Sequence, residues 1–301
     1  MSRKTARVRF EVEGRDWPNR EWSHFVDVDP FRFHYQCSGV GADLLLLHGA
    51  GASTHSFRDL LPLLSERFRV LAIDLPGHGF TRAPPAAQRT LPQVADAVRR
   101  ALGVIGLRPR AVIGHSAGAA VGARIILDRH LEVERLISIN GAFFPFVGAA
   151  RLALPALARI LSQSRRAPRL MSRLARPSTA QILKATGSRI DGRGSELYRR
   201  LASSPEHIAG SLAMAAGWNL DELVLELAEL PTKLVLVAGE NDKTVSPEQA
   251  RRLRESLPRS ELLLLPRLGH LAHEEAPWRF AELITSIVEG DDPGTGRTHD
   301  A

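Results

Sequence analysis

Along the first 140 residues, short apolar runs alternate with longer periodic segments. Phe25-Val26-Asp27-Val28 and Phe31-Arg32-Phe33-His34-Tyr35 alternate apolar and polar positions, with Asp29-Pro30 between them. A period of two broken by turn residues predicts an antiparallel strand pair. Asp43-Leu44-Leu45-Leu46-Leu47 and Arg69-Val70-Leu71-Ala72-Ile73 are continuous apolar runs, as strands covered on both faces require. Ala111-Val112-Ile113 and Leu136-Ile137-Ser138-Ile139 read the same way. Between these runs the period becomes helical. Helices are expected from Phe57 to Leu64, from Leu91 to Ile105 and from the residues after Ser116 to about Arg129. In the second, Leu91, Val94, Ala95, Val98 and Leu102 share a face.

From about Phe143 to Leu230 the pattern is helical, with no convincing strand. Alternation resumes with a strand at Lys233 to Gly239. A helix follows from Pro247 with Ser246 as its N-cap, then a strand at Glu261 to Leu265 and a helix at Pro277 to Val288. Repeated strand–helix units with doubly buried strands predict an α/β fold, a mostly parallel central sheet flanked by helices. The helical stretch is then a cap inserted at the C-terminal edge of the sheet, where such sheets bind ligands. The expected organisation is an N-terminal extension over 1–24, a core over 25–143 and 231–289, a helical cap over 144–230 and a disordered tail over 290–301.

At 301 residues and 44% apolar, the chain suffices for one large domain with an insertion. The lone Cys37 excludes an intramolecular disulfide and fits a reducing compartment. The basic N-terminus has no apolar segment behind it, so no secretory signal is read. No run approaches the roughly eighteen apolar residues of a membrane span. Together these point to the cytoplasm. The net charge of +7 is unevenly placed: Arg151 to Arg200 holds twelve Lys and Arg against Asp191 and Glu196, a net +10. There Leu152 to Leu161 is amphipathic, and Arg165, Arg166, Arg169, Arg173 and Arg176 follow. This is either a solvated helical face or a surface for an anionic partner: a carboxylate-bearing ligand, an acidic protein or a membrane surface. Nucleic acid is not expected, because no aromatics interleave with the arginines as a stacking platform needs.

The candidate chemistry sits where the central apolar run ends. Gly114-His115-Ser116-Ala117-Gly118 has the spacing of a strand, a sharp turn and a helix, with a serine at the apex. Gly114 and Gly118 lack a Cβ, so strand and helix approach closely on either side of Ser116. A serine nucleophile needs a base, and the base an orienting acid. Asp242 and His270 follow the two strands beyond the insertion, on the same sheet edge as Ser116 and in the order Ser, Asp, His. His273 competes with His270. The N–H of Ala117 and the N–H of Ala50, in His48-Gly49-Ala50-Gly51, are candidate oxyanion donors. His48, Gly49, Gly51 and His115 are candidate pocket residues, although His48 and His115 also suit structural hydrogen bonding. No histidine has a paired metal-ligand spacing and no phosphate-binding glycine loop is present, so neither metal nor cofactor is expected.

From Phe25 to Val288 the chain resembles the α/β-hydrolase fold with a helical cap. The resemblance rests on His48-Gly49, Gly114-His115-Ser116-Ala117-Gly118, Gly239-x-x-Asp242 and Gly269-His270 with Glu275 and Pro277. More specifically, it resembles the magnesium-chelatase accessory proteins of bacteriochlorophyll biosynthesis in photosynthetic bacteria. That likeness extends to Gly14-Arg-Asp-Trp-Pro-Asn-Arg20, Asp74-Leu-Pro-Gly-His-Gly-Phe-Thr81, Ala185-Thr-Gly-Ser-Arg-Ile-Asp191 and Glu206-His-Ile-Ala-Gly-Ser-Leu-Ala-Met-Ala-Ala-Gly-Trp-Asn-Leu220. Two departures are Ala50, where Thr is commoner, and Phe57, where Trp is. The resemblance implies a role beside magnesium insertion into a porphyrin, with chelatase subunits as partners. A porphyrin with propionates would suit a basic, apolar cap. Three functions stay open: hydrolysis of an ester or acyl bond, non-catalytic binding of porphyrin or chelatase, and an esterase or C–C bond hydrolase unrelated to pigment.

Overall fold

A computed structural model describes residues 10–84, 90–129, 131–145, 156–161, 164 and 166–290. Residues 152–155 of the amphipathic cap segment, Arg165, the side chain of Arg176 and the tail beyond Gly290 lie outside the described residues. Eight strands form one sheet: β1 (Ser23–Val28), β2 (Phe31–Ser38), β3 (Asp43–Leu47), β4 (Arg69–Ile73), β5 (Ala111–His115), β6 (Arg135–Ile139), β7 (Lys233–Gly239) and β8 (Glu261–Leu265). Their spatial order is β1-β2-β4-β3-β5-β6-β7-β8. The β1/β2 and β2/β4 pairs are antiparallel, and every other pair is parallel.

The helices are α1 (Phe10–Glu13), α2 (Leu60–Ser65), α3 (Leu91–Ile105), α4 (Ala117–Leu127), α5 (156–161), α6 (Ala167–Ala185), α7 (Gly192–Ala202), α8 (Pro205–Gly217), α9 (Leu220–Glu226), α10 (Pro247–Ser256), α11 (Ala272–Glu275) and α12 (Pro277–Glu289). The strands β3 to β7 are buried on both faces, as their continuous apolar runs require, whereas β8, at the sheet edge, is buried only at Leu265 and half-buried elsewhere. Leu45, Leu47, Leu71 and Val112 pack with α3 and α4 on one face. Leu44, Leu46, Val70 and Ile113 pack with α2 and α12 on the other. The helix α3 spans the predicted residues. Thr90 caps it reciprocally with Gln93, and Gly106, at φ 75°, ends it.

One expected element is split. The segment expected as a helix from Phe57 to Leu64 is a 3₁₀ turn over Thr54–Phe57 followed by α2. Pro62 has no N–H to donate to the Arg58 carbonyl, so the helix does not extend back through Arg58. That carbonyl accepts instead from Asn19 Nδ2 at 3.0 Å. Between β6 and β7 the described residues hold the helices α5 to α9 and no strand, and these helices are called the cap.

Candidate active site

Ser116 occupies the tight turn between β5 and α4. Its φ of 50° and ψ of −117° lie outside the conformations L-residues favour. The turn is fixed on both sides. Ser116 N–H donates to the Ile139 carbonyl at 2.9 Å, and Ala119 N–H and Ala142 N–H both donate back to the Ser116 carbonyl at 3.1 Å. A Cβ on Gly114 would strike the backbone of Ala119, and one on Gly118 would strike the Leu47 carbonyl. These two glycines let the strand and helix close around the serine.

Asp242 and His270 come from the loops after β7 and β8. His270 Nδ1 donates to Asp242 Oδ2 at 2.7 Å. The other carboxylate oxygen accepts from Thr244 N–H at 2.7 Å and Val245 N–H at 2.9 Å, so the carboxylate is held at both ends. With Nδ1 donating, Nε2 of His270 is left as the basic nitrogen. Ser116, Asp242 and His270 are all buried. Among the described residues the Ser116 hydroxyl has no hydrogen-bond partner.

Asn140 joins these loops and has no counterpart among the residues singled out from sequence. It follows β6 at φ 47° and is buried. Its Nδ2 donates to the Gly269 carbonyl at 2.9 Å and the His270 carbonyl at 2.8 Å, while its Oδ1 accepts from Gly239 N–H at 2.8 Å. One side chain thereby ties the end of β7, which leads to Asp242, to the loop that carries His270. A polar residue directly after β6, on the edge that holds Ser116, was the signal available in the sequence.

The remaining candidates divide. Gly49 lies against Ser116: a Cβ there would come within 3.1 Å of the Ser116 Cβ and 2.9 Å of His115 Nδ1. Ala50 is exposed, and neither its N–H nor that of Ala117 is bound to backbone among the described residues. His115 Nε2 donates to the His270 carbonyl at 2.9 Å, and burial pushes its ring well below the usual histidine range. His48 is fully buried. Its Nε2 accepts from Leu75 N–H at 2.9 Å and its Nδ1 donates to the Gly49 carbonyl at 2.8 Å, so both nitrogens hold loops together. His273, the competitor of His270, is bonded through Nε2 to Ser56 Oγ at 2.8 Å and is pushed by burial down to about 3.

A model of the alpha/beta hydrolase family matches residues 44–283. The chain belongs to that family. It is 36% identical over 279 residues to the magnesium-chelatase 30 kDa subunit of Rhodobacter capsulatus, across 91% of this chain and 97% of that one. It is 30% identical over 252 residues to pimeloyl-(acyl-carrier protein) methyl ester esterase of Neisseria meningitidis serogroup C, across 81% of this chain and 93% of that one. The structure of the epoxide hydrolase CorEH superposes with a TM-score of 0.75 at 23% identity, covering 89% of this chain and 98% of that one. At that identity the likeness speaks for the fold alone.

In this member of the alpha/beta hydrolase family, the stretches that carried the narrower resemblance are joints between cap and core. In Ala185 to Asp191, Lys243 N–H donates to the Thr186 carbonyl at 3.0 Å, and Leu271 N–H donates to Ser188 Oγ at 2.8 Å. The cap thus grips both the Asp242 loop and the His270 loop. In Glu206 to Leu220, His207 Nδ1 accepts from Gly79 N–H at 3.1 Å and its Nε2 donates to the Gly51 carbonyl at 3.0 Å. In Gly14 to Arg20, Trp17 packs with Phe80 of the core and with Leu197 and Leu201 of α7. Asp16 accepts both bonds of a fork from Arg200 at 2.7 Å. Beneath the cap, Glu274 accepts from Tyr198 Oη at 2.6 Å and Ser56 Oγ at 2.8 Å and pairs with Arg58, which also reaches Asp191. Burial pushes the Glu274 carboxyl up, against the pull of Arg58. Asp74, also fully buried, accepts from His34 Nδ1 and Thr54 N–H at 2.7 Å and from Phe80 N–H at 2.9 Å, which fixes the 74–81 loop. Among the described residues no cluster of His, Cys, Asp and Glu could hold a metal ion, and no helix is long and apolar enough to cross a membrane.

Proposed function

We propose that the protein serves as an accessory factor to magnesium chelatase in bacteriochlorophyll synthesis and hydrolyses an ester or related acyl bond. The pathway half of the reading rests on the relative named for magnesium chelatase, which matches along nearly its whole length. The chemical half rests on one observation: His270, oriented by Asp242 at 2.7 Å, stands among the same loops as Ser116 on its strained turn.

The reaction follows from those groups. Ser116 Oγ attacks the acyl carbon and its proton passes to His270 Nε2. Asp242 holds the Nδ1 proton and stabilises the imidazolium. The Ala50 and Ala117 N–H groups receive the oxyanion, and their freedom from backbone partners suits them to it. Collapse breaks the bond to the leaving oxygen, which takes the proton from His270. Water, deprotonated by His270, then releases the acid and restores Ser116. A fluorophosphonate probe should label the purified protein, and Ser116→Ala should lower labelling by at least about a thousandfold. Absence of label on the wild type, or equal label on the variant, rejects the chemistry.

A second reading is a non-catalytic porphyrin- or chelatase-binding role. What favours it is that a relative matching 91% of this chain is named as a subunit of magnesium chelatase and not as a hydrolase. Under that reading Ser116→Ala restores pigment to a deletion strain as well as the wild type does. Under the hydrolytic reading it does not. An esterase unconnected with pigment is the third reading; a deletion strain with normal pigment would favour it.

A further inference from the structure

The cap carries a surface that the proposed chemistry does not use. Between Arg151 and Ile190 the sequence holds nine Lys and Arg and no Asp or Glu, and also no Phe, Trp or Tyr. Within this stretch α6 has two opposed faces. Pro168, Ser172, Thr179 and Leu183 recur at helical spacing and are buried, Leu183 against Ala52, Tyr198 and Leu271. Diametrically across, Arg166, Leu170 and Leu174 form a row four residues apart, with Arg169 and Arg173 beside it. Leu170 is 58% exposed and Leu174 63%. On the neighbouring α5, Leu157 is 51% and Ile160 67% exposed.

Exposed aliphatics also occur singly elsewhere, at Val40, Val104 and Leu225, but among the described residues only here do four of them, Leu157, Ile160, Leu170 and Leu174, fall within eighteen residues among arginines. A protein interface would be expected to centre on aromatic anchors, and none stands here. Exposed aliphatics interleaved with cations and free of acids instead match the headgroup and acyl-chain boundary of an anionic bilayer, where leucines sink and arginines meet lipid phosphate. We propose that the outward face of α6 seats the protein on anionic lipid membranes. The cap that grips the Asp242 and His270 loops would then lie against the bilayer. The proposal is independent of whether Ser116 is a nucleophile.

Cosedimentation of the full chain with vesicles tests this. Wild type should pellet with phosphatidylcholine–phosphatidylglycerol vesicles and stay in the supernatant with phosphatidylcholine alone. Arg166→Glu with Arg173→Glu should weaken partitioning at least about tenfold, since each basic residue near the surface contributes about 1 kcal/mol. Leu170→Ser with Leu174→Ser should weaken it comparably. Arg166→Lys with Arg173→Lys should retain it, and a circular dichroism spectrum checks that each variant is folded. Wild type that stays in the supernatant with anionic vesicles overturns the proposal. So does equal binding by either weakened pair. Loss in the charge-reversed pair with full binding by the leucine pair would mean bare charge attraction, as to an acidic protein, and also overturns it.

Discussion

Ser116 holds a backbone conformation, φ 50° and ψ −117°, that costs on the order of 1–3 kcal/mol and persists because its neighbours over-determine it. Three backbone hydrogen bonds and two glycines do so. All of these groups but Ile139, Ala142 and Leu47 lie within five residues of the serine, which is why the turn is legible from a five-residue motif. Asn140 is the opposite case. Its bonds reach Gly239, Gly269 and His270, about a hundred residues or more away, so its side chain reads in sequence as an ordinary residue after a strand. Asn140→Gly keeps the left-handed backbone comfortable and deletes only the side-chain bonds. It should destabilise the protein by about 1–3 kcal/mol by urea denaturation, because buried carbonyls lose a donor. If Asn140 positions the His270 loop, fluorophosphonate labelling should also slow while the protein remains folded; unchanged labelling would make its role purely structural.

At the scale of elements, strands and helices follow the hydrophobic pattern closely, because burial on both faces leaves a parallel strand little choice but a continuous apolar run. The exception near Arg58 has a local cause, Pro62, and a distant one, Asn19, and only the distant one was invisible. The loops between elements behave differently. Gly187, at φ +85°, packs against the Asn241 carbonyl, so a Cβ there is both strained and obstructed. Gly187→Ala should therefore push the α6–α7 turn off the Asp242 loop and break the bond from Lys243 N–H to the Thr186 carbonyl. A loss of about 2 kcal/mol or more in thermal unfolding is expected, with Gly192→Ala, which meets nothing, as the neutral control.

For the whole molecule, the cap and core are sewn together by buried polar groups, and this sets a pH dependence. His207 clips α8 to two core loops only in its neutral form, since Nδ1 must accept from Gly79. Burial pushes it from 6.5 down to about 4. Between those values the unfolded chain binds a proton that the folded chain does not, so stability falls as pH falls through that window. The loss is about 1.4 kcal/mol per pH unit and about 3 kcal/mol in all for this group. His48, His55, His115 and His273 are pushed down by burial as well and add to the slope. Urea denaturation at pH 7 and pH 5 should show wild type losing about 2 kcal/mol more than His207→Gln, which has no proton to gain. Equal losses would remove His207 from the account.

The α/β architecture, the turn at Ser116 and the placing of Asp242 and His270 after strands could be read along the chain, because hydrophobic period and chain order act locally or along one sheet edge. What surrounds them depends on the folded arrangement. It set His270 on Asp242 and engaged His273 with Ser56, a choice that three residues of spacing leave open. It made His48 a loop tie, and it turned Trp17, Gly187 and His207 into joints between cap and core. A buried hydrogen bond is specified by two groups that meet in space, and neither group carries its partner's address in its own neighbourhood along the chain.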